Sequence, residues 1–134
     1  MYYSTYVTIP AATAEKTPIE VDLKLTKGVI HRVEVTFRSG TDFRAAIRIK
    51  HQEHQLYPTN PEGDLKDDGR TIVIDDYFPL TTAPYSLKLI GYAPTAAYEH
   101  IVYVKVGVLR AELISPVQTI LGKIKGFMEA LKGG

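Results

Sequence analysis

The sequence predicts a mainly β protein: an antiparallel β-sandwich of seven to eight strands, followed by a C-terminal amphipathic α-helix. Three observations carry that reading. Apolar residues recur at every second position through most of residues 4–109. The runs are short and are separated by turns built from Gly, Pro, Asp and Ser. After Leu109 the apolar period changes from two to three and four. A chain of 134 residues corresponds to about one domain, organised here as a β-sandwich over 1–110 and a helix over 115–132.

The elements follow in order. Tyr3, Thr5, Val7 and Ile9 alternate until Pro10, and Ile19, Val21, Leu23 and Leu25 alternate with Glu20, Asp22 and Lys24. Both runs suit strands with one face in a core. After the Lys27-Gly28 turn, Val29, His31, Val33, Val35 and Phe37 share a face opposite Arg32, Glu34, Thr36 and Arg38. The turn Ser39-Gly40-Thr41-Asp42 precedes Phe43, Ala45, Ile47 and Ile49, so these two runs are expected to form a hairpin. Residues 51–70 are turn-rich, with Leu56 and Tyr57 as anchors. Strands are then expected over Thr71–Asp75, Tyr85–Tyr92 and Tyr98–Leu109. Gly91 and Gly107, inside strands, mark bulges or close backbone approach.

Ser115-Pro116 with Gln118 is a helix start: a capping serine, proline at the first turn, and a capping-box glutamine. Val117, Ile120, Leu121, Ile124, Phe127, Met128 and Leu131 then form one apolar stripe, with Gly122 and Gly126 as a G-x-x-x-G spacing. Three roles stay open for this stripe. It covers the sandwich of its own chain, it joins copies as an oligomer interface, or it lies on a membrane surface or in a partner groove.

Composition excludes several function classes. Hydrophobic residues at 45% and charged residues at 23% are globular values, which argue against disorder and fibrous repeats. Sixteen Lys plus Arg against fifteen Asp plus Glu leave +1, so nucleic acid is not an expected partner. Without cysteine there is no disulfide, thiolate metal site or thiol nucleophile. The segment MYYSTYVTIP lacks the basic and apolar regions of a secretory signal, and a soluble protein is expected. No phosphate loop or nucleophile elbow occurs, so neither an enzyme nor a cofactor is expected. His51, Glu53 and His54 place only two ligands on one strand face, too few for zinc, and no metal site is expected there.

The net charge hides a division. Residues 24–50 carry seven basic side chains against two acidic, +5, and residues 51–80 carry seven acidic against two basic, −5. In the expected hairpin Arg32, Arg38, Arg44 and Arg48 fall on one face as a basic stripe. Such a stripe fits an anionic surface or the acidic loop of a second copy, and a neutral chain with both signs favours self-assembly. The loop holding Tyr57, Asp64, Asp67 and Asp68 is a candidate ligand loop. Its carboxylates could take calcium, although their spacing departs from the EF-hand pattern.

Between residues 5 and 109, the strand–loop order and the stretches Gln55-Leu-Tyr-Pro-Thr-Asn60 and Gly91-Tyr-Ala-Pro resemble small single-jelly-roll or Ig-like virion proteins. Those proteins serve as minor capsid or spike components of bacterial and archaeal viruses. The resemblance implies a jelly-roll-like sandwich and a structural protein that forms a symmetric homo-oligomer, with other virion or surface proteins as further partners and the virion as its location. The alternative is a glycan- or cell-surface-binding module, using the Tyr57–Arg70 loop and Tyr77, Tyr92 and Tyr98.

Overall fold

A computed structural model describes residues 1–110. Eight strands follow in chain order: β1 (Tyr2–Ile9), β2 (Ile19–Lys24), β3 (Gly28–Phe37), β4 (Ala46–His51), β5 (His54–Tyr57), β6 (Thr71–Leu80), β7 (Ser86–Tyr92) and β8 (His100–Arg110). The protein is mainly β, with every strand pair antiparallel. The helix expected over 115–132, with its Val117, Ile120, Leu121, Gly122, Ile124, Gly126, Phe127, Met128 and Leu131, lies outside the described residues.

Two four-stranded sheets form, in the orders β1-β8-β3-β6 and β2-β7-β4-β5. The pairs β1–β8, β2–β7, β3–β6 and β4–β5 are those of one long hairpin whose tip is β4–β5. Rolling that hairpin adds the β3–β8 and β4–β7 pairings. The period-two pattern then becomes burial. Val7 and Ile9 of β1, Val33, Val35 and Phe37 of β3, Ile47 and Ile49 of β4, Leu87 and Leu89 of β7, and Val102, Val104 and Val106 of β8 are all buried in one core. Each such side chain contributes roughly 1.5–3 kcal/mol when fully buried.

Three expectations are corrected. The Val29–Phe37 and Phe43–Ile49 runs do not form a hairpin: β3 and β4 belong to different sheets. The connection between them has positive φ at Gly40 (96°), Asp42 (50°) and Phe43 (57°), a corner rather than a two-residue turn. Phe43 stands 57% exposed on that corner instead of entering the core. Second, β3 bulges between Ile30 and Arg32, so Ile30 rather than His31 joins Val33 and Val35 on the core side. Third, the turn-rich stretch holds a strand of its own, β5, which closes the only within-sheet hairpin among the described residues through the His51–His54 pair.

Gly91 bears out the expected close approach. A Cβ there would lie 2.8 Å from Ile9 Cδ1 and 3.2 Å from Ile47 Cδ1, where both isoleucines are fully buried. Gly91→Ala should therefore destabilise the fold by about 1–3 kcal/mol through overpacking. Ile9→Val removes the nearest methyl and leaves Ile9 Cγ1 (3.0 Å) and Ile47 Cδ1 as the remaining close atoms, so in chemical denaturation the double variant should recover part of that loss. Strictly additive costs for the two changes would show that this contact is not what requires glycine.

Candidate functional site

The rolled topology builds two surfaces from segments far apart in sequence. On the outer face of the β1-β8-β3-β6 sheet, side chains line up in rows that cross the strands. Ser4, Lys105, Glu34 and Val73 form one row, and Tyr6, Tyr103, Thr36 and Thr71 form the next. Tyr6 and Tyr103 are directly opposite each other, with ring centroids 6.4 Å apart and planes inclined at 55°. They are 60% and 45% exposed. The Thr36 and Thr71 hydroxyls hydrogen-bond to each other at 2.9 Å. Between the rows lies an open hollow of about 650 Å³.

On the other sheet the acidic segment folds back over the basic one. Leu65 makes two backbone hydrogen bonds with Ile47, so residues 58–65 return beside β4 where β5 ends. The Gln55 amide holds that return by donating to the carbonyls of Pro58 (2.8 Å) and Asn60 (2.9 Å). Arg48 Nε donates to Asp64 Oδ1 at 2.6 Å, and Arg48 Nη2 donates to Glu15 Oε1 at 3.0 Å. The Tyr92 hydroxyl donates to the other Asp64 oxygen, and the Arg48 guanidinium carbon lies 5.4 Å from the Tyr92 ring centroid. Burial, and then the hydrogen bond to Asp64, push the Tyr92 phenol above its ordinary value, so it stays a donor.

Tyr57 and Asp76 tie the two sheets together at their β5 and β6 edges: the Tyr57 hydroxyl donates to Asp76 Oδ2 at 2.7 Å. Burial, with the carboxylate's hydrogen bond second, raises the Tyr57 phenol as well. Asp68 caps the β3–β4 corner, its Oδ1 accepting from the backbone N–H of Gly40 (2.9 Å) and of Asp42 (3.1 Å). Those two backbone bonds hold the Asp68 carboxyl below the usual carboxylate range.

The four arginines therefore do not form a stripe. Arg32 lies on the outer face of the first sheet, 3.6 Å from Glu34 and 3.7 Å from Asp75. Arg48 lies on the opposite sheet, 19% exposed at its side chain. Arg44 donates to the Thr95 carbonyl at 2.9 Å and pairs with Asp42, and Arg38 is exposed just beyond β3. The expected ligand loop is likewise occupied by structural contacts. Tyr57 is buried, Asp64 belongs to the Arg48 cluster, Asp67 Oδ1 accepts from the Asp68 N–H, and Asp68 caps the corner. Tyr92, offered as a sugar-stacking side chain, is buried too. His51 and His54 face each other in the β4–β5 pairing, with the His51 ring edge-on to Phe78. No group of three metal-ligating side chains occurs among the described residues.

Sequence reasoning missed the Tyr6–Tyr103 pair, because nothing local signals that β1 and β8 are neighbours. It also missed His100, which is buried under Tyr98 with its Nε2 unpartnered among the described residues.

No protein-family model matches the chain, and no curated protein matches it. Among solved structures, it is similar to the crystal structure of FLHE at 13% identity and a TM-score of 0.47, over 82% of this chain and 97% of that one.

Two outcomes test the structural roles. Tyr57→Phe keeps the ring and removes the donor, and should lower unfolding free energy by about 1–2 kcal/mol; an unchanged value would show that the Asp76 contact contributes nothing. For Asp68 the lowered folded-state value places its stabilising effect above the unfolded carboxylate value of about 3.9, with loss as pH falls through the folded value. Urea midpoints of the wild type and Asp68→Ala should differ at neutral pH and converge in acid. A difference that grows in acid would contradict the cap.

Proposed function

We propose that the protein is a non-enzymatic structural module with a jelly-roll arrangement, which acts by contact and assembles into a symmetric homo-oligomer. The strand orders β1-β8-β3-β6 and β2-β7-β4-β5 support the jelly-roll reading, since a long hairpin rolled into two sheets is how two Greek keys make that architecture. That architecture occurs in capsid proteins, and a virion-associated role is the setting we propose.

The observation that carries the assembly reading is the open edge at β6. Among the described residues this ten-residue strand pairs with β3 alone. Its first half, Thr71-Ile-Val-Ile74, is uncharged and β-branched, a composition that suits strand addition. A twofold antiparallel pairing centred on Val73 sets Ile72 against Ile74 and Thr71 against Asp75, so no carboxylate meets its own copy. Asp76 and Pro79 then limit the pairing to that half, as charges and proline do on protected edges. Of the four arginines expected to make an opposite-charge contact between copies, Arg32, Arg44 and Arg48 pair with carboxylates of their own chain.

Sedimentation velocity of the full chain tests this. The wild type should sediment as a dimer or larger assembly across the micromolar range. Val73→Lys places two like charges at the dyad and should yield monomer with an unchanged melting temperature. A monomeric wild type contradicts the proposal. A truncation after Leu113 run alongside tells whether the Val117–Leu131 stripe is a second contact between copies: its loss then lowers the mass further.

A further inference from the structure

We infer that the hollow on the outer face of the β1-β8-β3-β6 sheet is a binding site for an uncharged oligosaccharide, with Tyr6 and Tyr103 as its stacking platform. The two rings are opposite one another on neighbouring strands, separated by 6.4 Å and inclined at 55°, and both are more than two-fifths exposed. Two tilted aromatic faces on a rigid sheet present apolar area that is already ordered, so a ligand loses little freedom in the protein when it lands there. The sheet behind them is fixed by the β1–β8 and β3–β8 ladders.

The rest of the lining is polar and balanced in charge. Beside the rings stand the Ser4, Thr36 and Thr71 hydroxyls, the Glu34 carboxylate and the Lys105 ammonium. Glu34 and Lys105 are cross-strand neighbours, yet Glu34 is held by Arg32 at 3.6 Å, and among the described residues no ion pair joins Lys105 to a carboxylate. The carboxylate thus keeps acceptor capacity toward the hollow, and the ammonium keeps its donors. Sugar hydroxyls, each both donor and acceptor, satisfy that mixture, while the C–H face of a pyranose ring covers a tyrosine.

Other occupants fit less well. An apolar ligand would strip water from a carboxylate, an ammonium and hydroxyls without replacing their hydrogen bonds. A polyanion finds one lysine and one glutamate, which cancel. The volume of about 650 Å³ falls within the range of small-molecule sites and is open on one side, as a chain of sugars requires. This site sits within a single copy and shares only Thr71 with the β6 half proposed to pair. A chain that sediments as a monomer and binds sugar would refute the edge contact and leave this proposal standing.

The test is saturation-transfer NMR of the full chain against neutral hexasaccharides (cello-, xylo-, malto- and chito-oligomers), with sialyllactose and a uronate oligomer as acidic arms. At least one neutral oligomer should bind, and its tyrosine-contacting protons should saturate first. Tyr103→Ala and Tyr6→Ala, changes at exposed positions, should each weaken binding by about tenfold. Glu34→Gln should weaken it while leaving the melting temperature unchanged, and Tyr77→Ala, an exposed tyrosine outside the hollow, should have no effect. No binding across the neutral panel, binding of the acidic arms alone, or binding that survives both tyrosine changes overturns the proposal.

Discussion

Among the described residues, consecutive strands alternate between the two sheets, with β4 and β5 as the single exception, and the remaining structure depends on that constraint. A strand that crosses to the other sheet cannot pair with its predecessor, so every ladder except β4–β5 joins segments distant in sequence. Strands β1 and β8 become neighbours, which places Tyr6 beside Tyr103. The same crossing sends the acidic segment after β5 back alongside β4. The surfaces of this protein are therefore built from rungs that run across strands, and a run of residues along one strand contributes only one side chain to each rung.

That crossing also explains how a nearly neutral chain carries two oppositely charged segments. Arg48 reaches Asp64 and Glu15, Arg32 reaches Asp75, and the Asp68 carboxylate accepts backbone N–H groups from the corner between β3 and β4. Exposed pairs such as Arg32–Asp75 contribute little. Arg48–Asp64 differs, because both side chains are largely covered and the carboxylate is also bonded to Tyr92. Losing one partner would leave the other largely covered charge with only Glu15, for Arg48, or the Tyr92 hydroxyl, for Asp64, to answer it, which is the costly direction. Opposite charge in this molecule closes a loop onto its own sheet.

What was legible in the sequence follows from the same physics. Period two marks a half-buried strand wherever it falls, so β1, β2 and β8 stand out, and the inward set Tyr3, Thr5, Val7 and Ile9 is found on the buried side of β1. Gly91 was legible because glycine inside a strand needs a reason, and Ile9 and Ile47 supply one. Alternation says nothing about which strand lies alongside, so β3 and β4 read as a hairpin although a corner separates them. The four residues of β5 are too few to show a period. The Asp75-Asp76 pair interrupts alternation and hides the second half of β6. Ser4, Tyr6, Glu34 and Tyr103 look like ordinary solvent-facing strand positions until the topology brings them to one hollow.

The acidic and basic segments close on each other within one copy, and a double-mutant cycle at Arg48 and Asp64 reads that contact directly. Unfolding free energies of the wild type, Arg48→Ala, Asp64→Ala and the double variant give the coupling between the two side chains. The predicted value is about 1–3 kcal/mol in favour of the pair, the range for charged groups in contact within one network. Independent, additive losses, with a coupling below about 0.3 kcal/mol, would contradict it.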